Sequence, residues 1–319
     1  MSPAIGWIGL GRMGAPMAER LLGAGHALRV WARRPDACAA AVAAGALAVD
    51  TPEELARQCD VVATIVGGTD DVALLLASML PHARPGAIYL EMTTAAPSAA
   101  RQAQELAARR GAAVLDCPVS GGVAGARQGT LVQFVGGERD ALGRAAPLLG
   151  ALASHVVHCG ASGSGYRMKL VNQTMIAATL LGLADGVALA RAGGLERELV
   201  AQALSRGTAA GPLFASYLPR MFDAAGDITF TLGLLRKDLR LAHDEASGCG
   251  APTQLLEFML AALDRACERH GEGAGVQRLA AAPLQCAAHD ASTGAASGAT
   301  SAATCTVAAP AAALPEGSR

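Results

Sequence analysis

The first half of the chain alternates short apolar runs with alanine-rich stretches of helical character. Six runs have the length and the β-branched or aromatic content of strands: Ala4–Ile8, Ala27–Trp31, Val61–Val66, Ala87–Glu91, Ala113–Asp116 and Val132–Val135. Strands that alternate with helices in this way predict βαβ units. We therefore predict an α/β fold that begins with a doubly wound, mainly parallel sheet.

After Gly163 the pattern changes to helices. One long helix is predicted over Gly165–Ala192, and because it is apolar on nearly every side we expect it to be buried between domains or subunits. Helical character continues to about His270, with breaks at Gly207–Pro212 and Gly248–Pro252. These patterns predict an all-α domain over residues 163–279.

The last forty residues differ from the rest of the chain. Residues 280–319 are rich in alanine, with interspersed serine, threonine, glycine and proline and few charges. Such a segment cannot bury enough apolar surface to offset the entropy of ordering it. We predict a disordered tail over residues 280–319.

A glycine-rich turn follows the first predicted strand. Gly9, Gly11 and Gly14 form G-x-G-x-x-G between that strand and a predicted helix over residues 15–23. In this pattern the first glycine makes a tight turn, the second lets the backbone approach a pyrophosphate, and the third lets helix and strand pack closely. The sequence therefore predicts a dinucleotide-binding Rossmann domain over residues 1–162. Its loop candidates are Gly9, Leu10, Gly11, Arg12, Met13 and Gly14.

The end of the second predicted strand bears on the choice of cofactor. An acidic residue there would bind the ribose 2′-hydroxyl of NAD, whereas an arginine accommodates the 2′-phosphate of NADP. This chain has Arg33 and Arg34 and no acid before Asp36. The alternative is a pair of solvated surface arginines. We predict that NADP(H) is preferred and that NAD(H) is possible.

The long predicted helix carries a polar island. Lys169, Asn172 and Gln173 are spaced i, i+3 and i+4, so they share one helix face in an otherwise apolar stretch. Lysine is almost never fully buried without a partner or a task. The island therefore favours a pocket, although a lysine that reaches solvent from a helix end would also fit the pattern.

Composition narrows the classes of function. The 319 residues are 52% hydrophobic and 17% charged, with a formal net charge of −1. This balance argues against a general nucleic-acid or membrane-surface binder. No uninterrupted apolar run reaches the roughly 18 residues of a membrane span, and we expect no signal sequence. Eight cysteines without C-x-x-C spacing predict reduced thiols in a cytoplasmic protein and no metal site.

Four segments in order carry a family resemblance. They are Gly6-Trp7-Ile8-Gly9-Leu10-Gly11-Arg12-Met13-Gly14-Ala15-Pro16-Met17, then Asp116-Cys117-Pro118-Val119-Ser120-Gly121-Gly122, then Gly163-Ser164-Gly165 leading to Lys169, Asn172 and Gln173, and finally Lys237-Asp238-Leu239-Arg240-Leu241-Ala242. The chain resembles the β-hydroxyacid dehydrogenase family, which includes 3-hydroxyisobutyrate dehydrogenase and tartronate semialdehyde reductase and is related to 6-phosphogluconate dehydrogenase.

The resemblance implies roles for individual residues. Lys169 would be the general acid, and the backbone of Ser120, Gly121 and Gly122 would hold a substrate carboxylate. Asn172 and Gln173 would orient substrate oxygens. The remaining implied cofactor contacts are Val66, Gly67, Asp71, Thr94 and Lys237.

The resemblance therefore implies an oxidoreductase that transfers a hydride between NADP(H) and a small 3-hydroxy acid or its semialdehyde. Two alternatives stay open, an imine reductase-like enzyme and a non-catalytic NADP-binding interaction module. The resemblance further implies a homodimer or homotetramer. A small carboxylate-bearing substrate is the expected partner, with neither nucleic acid nor a membrane.

Overall fold

The computed structural model describes residues 3–224 and 226–281, in which nine strands form one sheet. The strands are β1 (Ile5–Ile8), β2 (Leu28–Trp31), β3 (Leu47–Ala48), β4 (Val61–Thr64), β5 (Ile88–Glu91), β6 (Ala113–Asp116), β7 (Val119–Ser120), β8 (Leu131–Gly136) and β9 (Ala153–Gly160). The α-helices are α1 (Gly14–Gly23), α2 (Ala39–Ala43), α3 (Pro52–Gln58), α4 (Thr69–Met79), α5 (Pro97–Ala108), α6 (Gly122–Gln128), α7 (Arg139–Leu152), α8 (Ser164–Ala192), α9 (Arg197–Leu204), α10 (Pro212–Asp223), α11 (Leu232–Gly248) and α12 (Gln254–His270). Short 3₁₀ helices span Pro35–Cys38, Leu80–His82 and Val276–Ala281.

The sheet is mainly parallel, as predicted. Its order begins β3-β2-β1-β4-β5-β6 with every neighbouring pair parallel. This is the strand order of a dinucleotide-binding Rossmann sheet, in which ligands lie beyond the carboxyl ends of the strands near the switch point. Here the switch point lies between β1 and β4. Strand β8 then runs antiparallel to β6 and β7, and β9 pairs parallel with β8.

Alternate residues of the strands fill two separate cores. Trp7 and Leu90 belong to a cluster that includes residues of α1 and α7, whereas Val62 and Tyr89 belong to one that includes residues of α3, α4 and α5. This division follows from the period of two in a strand, whose successive side chains point to opposite faces of the sheet. The sheet is thus covered by helices on both faces, and the predicted α/β class with an N-terminal Rossmann fold is confirmed.

The helical part of the chain begins with the first turn of α8, which packs tightly on the sheet. A Cβ at Gly165 would overlap the carbonyl oxygens of Asp116 and Phe134, so only glycine allows this approach. Farther along, α8 shares a buried apolar cluster with residues of α9, α10, α11 and α12. The first turn of α8 is therefore fixed to the sheet while the rest of the helix builds the helical core.

One face of α8 is exposed in the single chain. Met168, Val171, Met175 and Leu189 are 41–75% exposed and lie within about 60° of one another around the helix at 100° per residue. By length and composition α8 could also cross a membrane, since an 18-residue window has a mean hydropathy of 1.5. The sequence predicts no membrane-spanning segment, and the opposite face of α8 is buried, as in a core helix. Burial of the exposed face against another subunit stays a prediction.

The structure differs from the predictions in three strands, β3, β7 and β9, and in the end of the helical part. Strand β9 was not predicted, because seven of its eight residues are exposed or half-buried and lack the apolar alternation of an inner strand. At the other end, Ala280 is buried and the final 3₁₀ helix runs to Ala281, so the folded chain enters the segment assigned to the tail. The rest of the predicted tail, residues 282–319, lies outside the described residues.

Candidate active site

The glycine-rich turn has the geometry that a pyrophosphate requires. Gly9 has φ +99°, and a Cβ there would overlap the carbonyl oxygen of Ile65. A Cβ at Gly14 would overlap the carbonyl oxygen of Gly9, which explains the close approach of α1 to the strand end. A Cβ at Gly11, by contrast, would meet no atom within 4 Å. The backbone at Gly11 thus faces open space at the start of a helix, where N–H groups favour a phosphate.

The other candidates in this turn lie beside the glycines. Leu10 and Met13 are half-buried, and Met13 immediately precedes α1. Arg12 is exposed and its guanidinium donates to the carbonyl oxygen of Ile228 in the helical part of the chain. Arg12 therefore bridges the turn and the helical domain.

Beyond the end of β2, Arg33 and Asp71 lie next to each other. Arg33 is 84% exposed at its side chain, and its Nη1 lies 3.4 Å from Oδ1 of Asp71. Arg34 is also exposed. The Asp71 carboxylate lies over Gly67, where a Cβ would overlap Oδ2. The predicted contacts Arg33, Gly67 and Asp71 are therefore brought together, and both guanidinium groups remain accessible to an anion.

Lys237 on α11 reaches the loop after β5. Its ammonium donates to the carbonyl oxygen of Thr94 at 2.8 Å, and its side chain lies 3.6 Å from the Cβ position of Gly68. Val66, in the loop after β4, donates its backbone N–H to the hydroxyl of Thr93 at 2.9 Å. The loops after β4 and β5 and helix α11 thus meet at the carboxyl edge of the sheet.

Lys169 is buried on α8. It is 8% exposed, and among the described residues no oxygen accepts a hydrogen bond from its ammonium. Burial lowers its pKa to about 8, an effect that nearby Asp238 opposes and Lys237 reinforces. Desolvation disfavours the charged form of an amine, so the group titrates close to physiological pH. Such a perturbed amine at a sheet edge is a candidate for proton transfer.

Asp238 organises the polar cluster formed by Lys169, Gln173, Lys237 and Asp238. Its Oδ2 accepts from the amide of Gln173 at 2.7 Å, and its Oδ1 lies 3.0 Å from the ammonium of Lys237. Two lysines face one carboxylate here. With both amines protonated, the cluster carries a net charge of +1, which suits an anionic ligand.

Gln173 and Asn172 have different environments. Gln173 is 2% exposed, its Nε2 bonds to Asp238, and its Oε1 accepts from Asn172 at 3.1 Å. It would have to give up one of these bonds to bind a substrate directly. Asn172 is half-buried and uses only its amide N–H group, so its side-chain oxygen is the available substrate contact of this pair.

The predicted carboxylate cradle lies at the turn between β7 and α6. Ser120 ends β7, and Gly121 and Gly122 have φ values of +125° and +62°, in the region that favours glycine. Gly121 and Gly122 are exposed and open the first turn of α6. Within residues 3–224 and 226–281, no hydrogen bond links this segment to Lys169 or Asn172. The structure therefore presents the cradle and the lysine as separate parts.

A buried carboxyl network lies beneath these parts, formed by Thr64, Glu91, Thr93 and Tyr166. Oε1 of Glu91 accepts from Thr64 at 3.3 Å, from the backbone N–H of Thr93 at 3.1 Å and from the hydroxyl of Thr93. Oε2 accepts from the hydroxyl of Tyr166. Burial raises the pKa of Glu91 to about 7, against the lowering effect of its hydrogen bonds. The sequence signal for this network is Glu91 itself, an acid that ends the otherwise apolar strand β5.

Asp116 holds the start of α8 from the neighbouring strand. Its carboxylate accepts from the backbone N–H of Gly163 at 2.8 Å and of Tyr166 at 2.9 Å. These are N–H groups that a helix start leaves unpaired, so Asp116 acts as a cap from a distant part of the chain. Burial raises the pKa of Asp116 despite these bonds. Asp116 begins the segment Asp116–Gly122 that carries part of the family resemblance. Its contact with the start of α8 does not follow from the sequence pattern, because the two segments are about 50 residues apart.

Two protein families match the chain in succession. Residues 4–160 match the NAD binding domain of 6-phosphogluconate dehydrogenase, and residues 163–282 match the domain described as NAD-binding of NADP-dependent 3-hydroxyisobutyrate dehydrogenase. The two matches together include every predicted site residue.

Similar full-length proteins agree with these matches. An uncharacterized oxidoreductase of Bacillus subtilis, YkwC, is 33% identical over 88% of this chain and 98% of its own length. An NAD-dependent L-serine dehydrogenase of Pseudomonas aeruginosa is 37% identical over 79% of this chain and 88% of its own length.

Solved structures show the same relationship. The 3-hydroxyisobutyrate dehydrogenase of Mycobacterium tuberculosis, solved with L-serine, has a TM-score of 0.81 at 30% identity and covers 88% of this chain and 99% of its own. An imine reductase of Streptomyces aurantiacus shares the fold at a TM-score of 0.61 and 23% identity, covering 86% of this chain and 98% of its own. The chain therefore belongs to the β-hydroxyacid dehydrogenase family of NAD(P)-dependent oxidoreductases.

Proposed function

We propose that this protein interconverts a small 3-hydroxy acid and its semialdehyde, with NADP(H) as the preferred cofactor. The observation that carries the proposal is Lys169, a desolvated amine with a pKa of about 8 beside Lys237 and Asp238. An amine that changes protonation near pH 8 can donate a proton in one direction of a reaction and accept it in the other.

The proton step follows from the surroundings of Lys169. During reduction a carbonyl oxygen gains negative charge, and a nearby ammonium both stabilises that charge and supplies the proton. The low exposure of Lys169 excludes water, so the interaction is stronger than it would be in solution. In the oxidative direction the neutral amine removes the hydroxyl proton. The bound nicotinamide supplies or accepts the hydride.

The residues of the dinucleotide crevice fit NADP(H). Gly11 leaves room for a pyrophosphate, and two exposed arginines follow β2 where an acid would favour NAD. Within the part of the chain that the structure describes, Arg33 is held by a single 3.4 Å contact with Asp71, so it can turn toward a 2′-phosphate. A guanidinium and a phosphate form strong, charge-assisted hydrogen bonds.

The proposed substrate carries a carboxylate. The backbone of Ser120, Gly121 and Gly122 would bind it, Asn172 would orient the neighbouring oxygen, and the net positive charge near Lys169 favours an anion. The 3-hydroxy acid candidates are 3-hydroxyisobutyrate and glycerate. 4-Hydroxybutyrate and glyoxylate are included for comparison, since their reacting carbons lie farther from and nearer to the carboxylate. L-Serine, a 3-hydroxy acid on which a relative acts by name, joins this series. Lys169 together with the cradle of Ser120, Gly121 and Gly122 favours a carboxylate-bearing carbonyl substrate over the imine that a more distant neighbour reduces by name.

The test is oxidation or reduction of the nicotinamide, followed at 340 nm. Purified protein is assayed with NADPH and NADH against the candidate semialdehydes, and with NADP⁺ and NAD⁺ against the hydroxy acids and L-serine. We expect turnover with one carboxylate-bearing substrate and faster turnover with the phosphorylated cofactor. Lys169→Ala should lower kcat by a factor on the order of 10²–10⁴ and leave cofactor affinity within about threefold. Full activity of Lys169→Ala would refute the proposal.

We further propose that the protein self-associates through the exposed face of α8. Met168, Val171, Met175 and Leu189 form an apolar stripe along a 29-residue helix, with Gly182 and Gly186 on the same side. Contiguous exposed apolar surface of this kind marks interaction sites. Met175→Glu should shift the mass measured by light scattering toward that of one chain, and an unchanged mass would contradict this face as the interface.

We also propose a cytoplasmic location. The free thiols of the described cysteines support a reducing setting.

A further inference from the structure

The carboxyl network is more elaborate than a buried acid requires. Glu91 is 1% exposed and has no basic partner among the described residues, yet it accepts hydrogen bonds from three different side chains. Because an unpaired buried charge is costly, such a group persists only where its surroundings are fixed by other parts of the fold. The arrangement therefore indicates that the network does more than stabilise the fold.

The partners of Glu91 come from three segments that surround the proposed reaction centre. Thr64 ends β4, just before the loop that contains Val66. Thr93 lies in the loop after β5, next to Thr94, and its hydroxyl also accepts the backbone N–H of Val66 at 2.9 Å. Tyr166 lies on the first turn of α8. Glu91 is thus bonded, directly or through Thr93, to the end of β4, to the loops after β4 and β5, and to the first turn of α8.

Tyr166 transmits this arrangement to the proton donor. It precedes Lys169 by three residues, so the two side chains lie on the same face of α8 about one turn apart. The phenol ring is fully buried in the core on one face of the sheet, which leaves it little freedom to move. A shift of the Tyr166 hydroxyl would therefore change the height of Lys169 above the loops after β4 and β5.

We propose that Glu91 and Tyr166 are positioning residues that set the distance between Lys169 and the loops after β4 and β5, which carry the proposed cofactor contacts Val66 and Thr94. Neither residue contacts substrate or cofactor in this arrangement. Their hydrogen bond instead fixes α8 against the carboxyl ends of β4 and β5. The inference rests on the proposed reaction for its kinetic consequence, but its structural consequence is independent of that reaction.

The test compares two losses of one hydroxyl group. Tyr166→Phe removes the hydrogen bond to Glu91 and keeps the ring. Tyr89→Phe is the matched control, since Tyr89 is buried on the same strand as Glu91 and its hydroxyl has no partner within the described residues. For both variants, kcat is expressed per NADPH-binding site, determined by titration, and compared with KM and with the dissociation constant of NADPH.

We expect Tyr166→Phe to lower kcat by a factor between about 10 and 10², because a misplacement of about 1 Å has effects of that order. KM and NADPH affinity should stay within about threefold, and Tyr89→Phe should match the wild type. A purely structural role would reduce the number of binding sites but not the rate at each site. Unchanged kcat in Tyr166→Phe would overturn the proposal.

A second readout does not depend on turnover. With NADPH bound, amide hydrogen exchange of residues 164–170 should be faster in Tyr166→Phe than in the wild type and in Tyr89→Phe. If no substrate is turned over by any variant, the proposed function fails while this comparison still decides the positioning role. Equal exchange in all three proteins would overturn that role.

A second variant pair tests the link to Val66. Thr93→Ser keeps the hydroxyl that joins Val66 to Glu91 and should retain near wild-type kcat, whereas the isosteric Thr93→Val loses it and should resemble Tyr166→Phe. Equal behaviour of the two Thr93 variants would remove this loop from the network and contradict the proposal as stated.

Discussion

Replacement of Lys169 by methionine should make the protein more stable at neutral pH while it destroys the proton donor. Burial lowers the pKa of Lys169 from 10.5 to about 8. At 1.36 kcal/mol per pKa unit, this shift corresponds to a cost of about 3 kcal/mol for keeping the ammonium in the folded state. Methionine has a similar length and no charge, so Lys169→Met removes the cost and keeps the packing.

The pH dependence has a definite sign. Between about pH 8 and pH 10.5 the folded wild type binds fewer protons than the unfolded chain, so its stability rises with pH in this window. Below about pH 8 the amine is protonated in both the folded and the unfolded state, so folding carries the full cost of burying the ammonium. Lys169→Met lacks this titration, and its advantage should therefore be largest at pH 7 and shrink as the pH rises from 8 to 10.

The assay is equilibrium unfolding in urea without cofactor, at pH 7 and pH 9.5. We expect Lys169→Met to exceed the wild type at pH 7 by up to about 3 kcal/mol, with a clearly smaller difference at pH 9.5. Lys237→Met is the control, because its ammonium is paired with Thr94 and Asp238 and its loss should not raise stability. A less stable Lys169→Met at pH 7 would refute the argument, since it would mean that the ammonium is compensated inside the protein.

Three further predictions concern cofactor choice, catalysis and the core. Arg33→Ala should weaken NADPH binding about tenfold or more, as expected for loss of a hydrogen bond to a charged group, and should change NADH binding little. Equal losses of affinity for the two cofactors in fluorescence titrations would contradict the proposed binding of the 2′-phosphate by Arg33. For the reductive reaction, kcat/KM should fall about tenfold per pH unit above about pH 8, as Lys169 loses its proton, and a flat profile to pH 9.5 would exclude it as the acid. Gln133 is fully buried, and within the described residues neither amide atom has a partner. Gln133→Met should therefore raise the free energy of unfolding by about 1–3 kcal/mol, and a loss of stability in urea would reveal a buried partner.

Local chemistry in the sequence was sufficient to predict the glycine-rich turn between β1 and α1. Gly9, Gly11 and Gly14 lie between a strand and a helix, and the geometry of each follows from the packing of neighbouring backbone. Lys169 was likewise recognisable, because a lysine in an apolar helix contrasts with its neighbours. These signals lie within a few residues of the group they describe.

The side-chain contacts of the polar cluster and the carboxyl network join distant parts of the chain, so the sequence did not predict them. Gln173 bonds to Asp238 at a separation of 65 residues, and Tyr166 bonds to Glu91 at a separation of 75. Pattern and spacing identify which residues share a helix face, but they do not identify the side chain opposite. Strand β9 was not predicted because an exposed strand lacks the alternation of apolar and polar residues that burial of one face imposes.

The packing of Tyr166 has a consequence for how this protein can be divided. Tyr166 belongs to helix α8, yet its ring completes the apolar core between the sheet and α3, α4 and α5. A fragment that ends at residue 162 would lack this ring and would leave Glu91 and Asp116 without their partners from α8. An expression fragment of the sheet domain should therefore extend past Tyr166. By the same reasoning, a chimera of two relatives would keep its core intact only if the crossover point followed the first turn of α8.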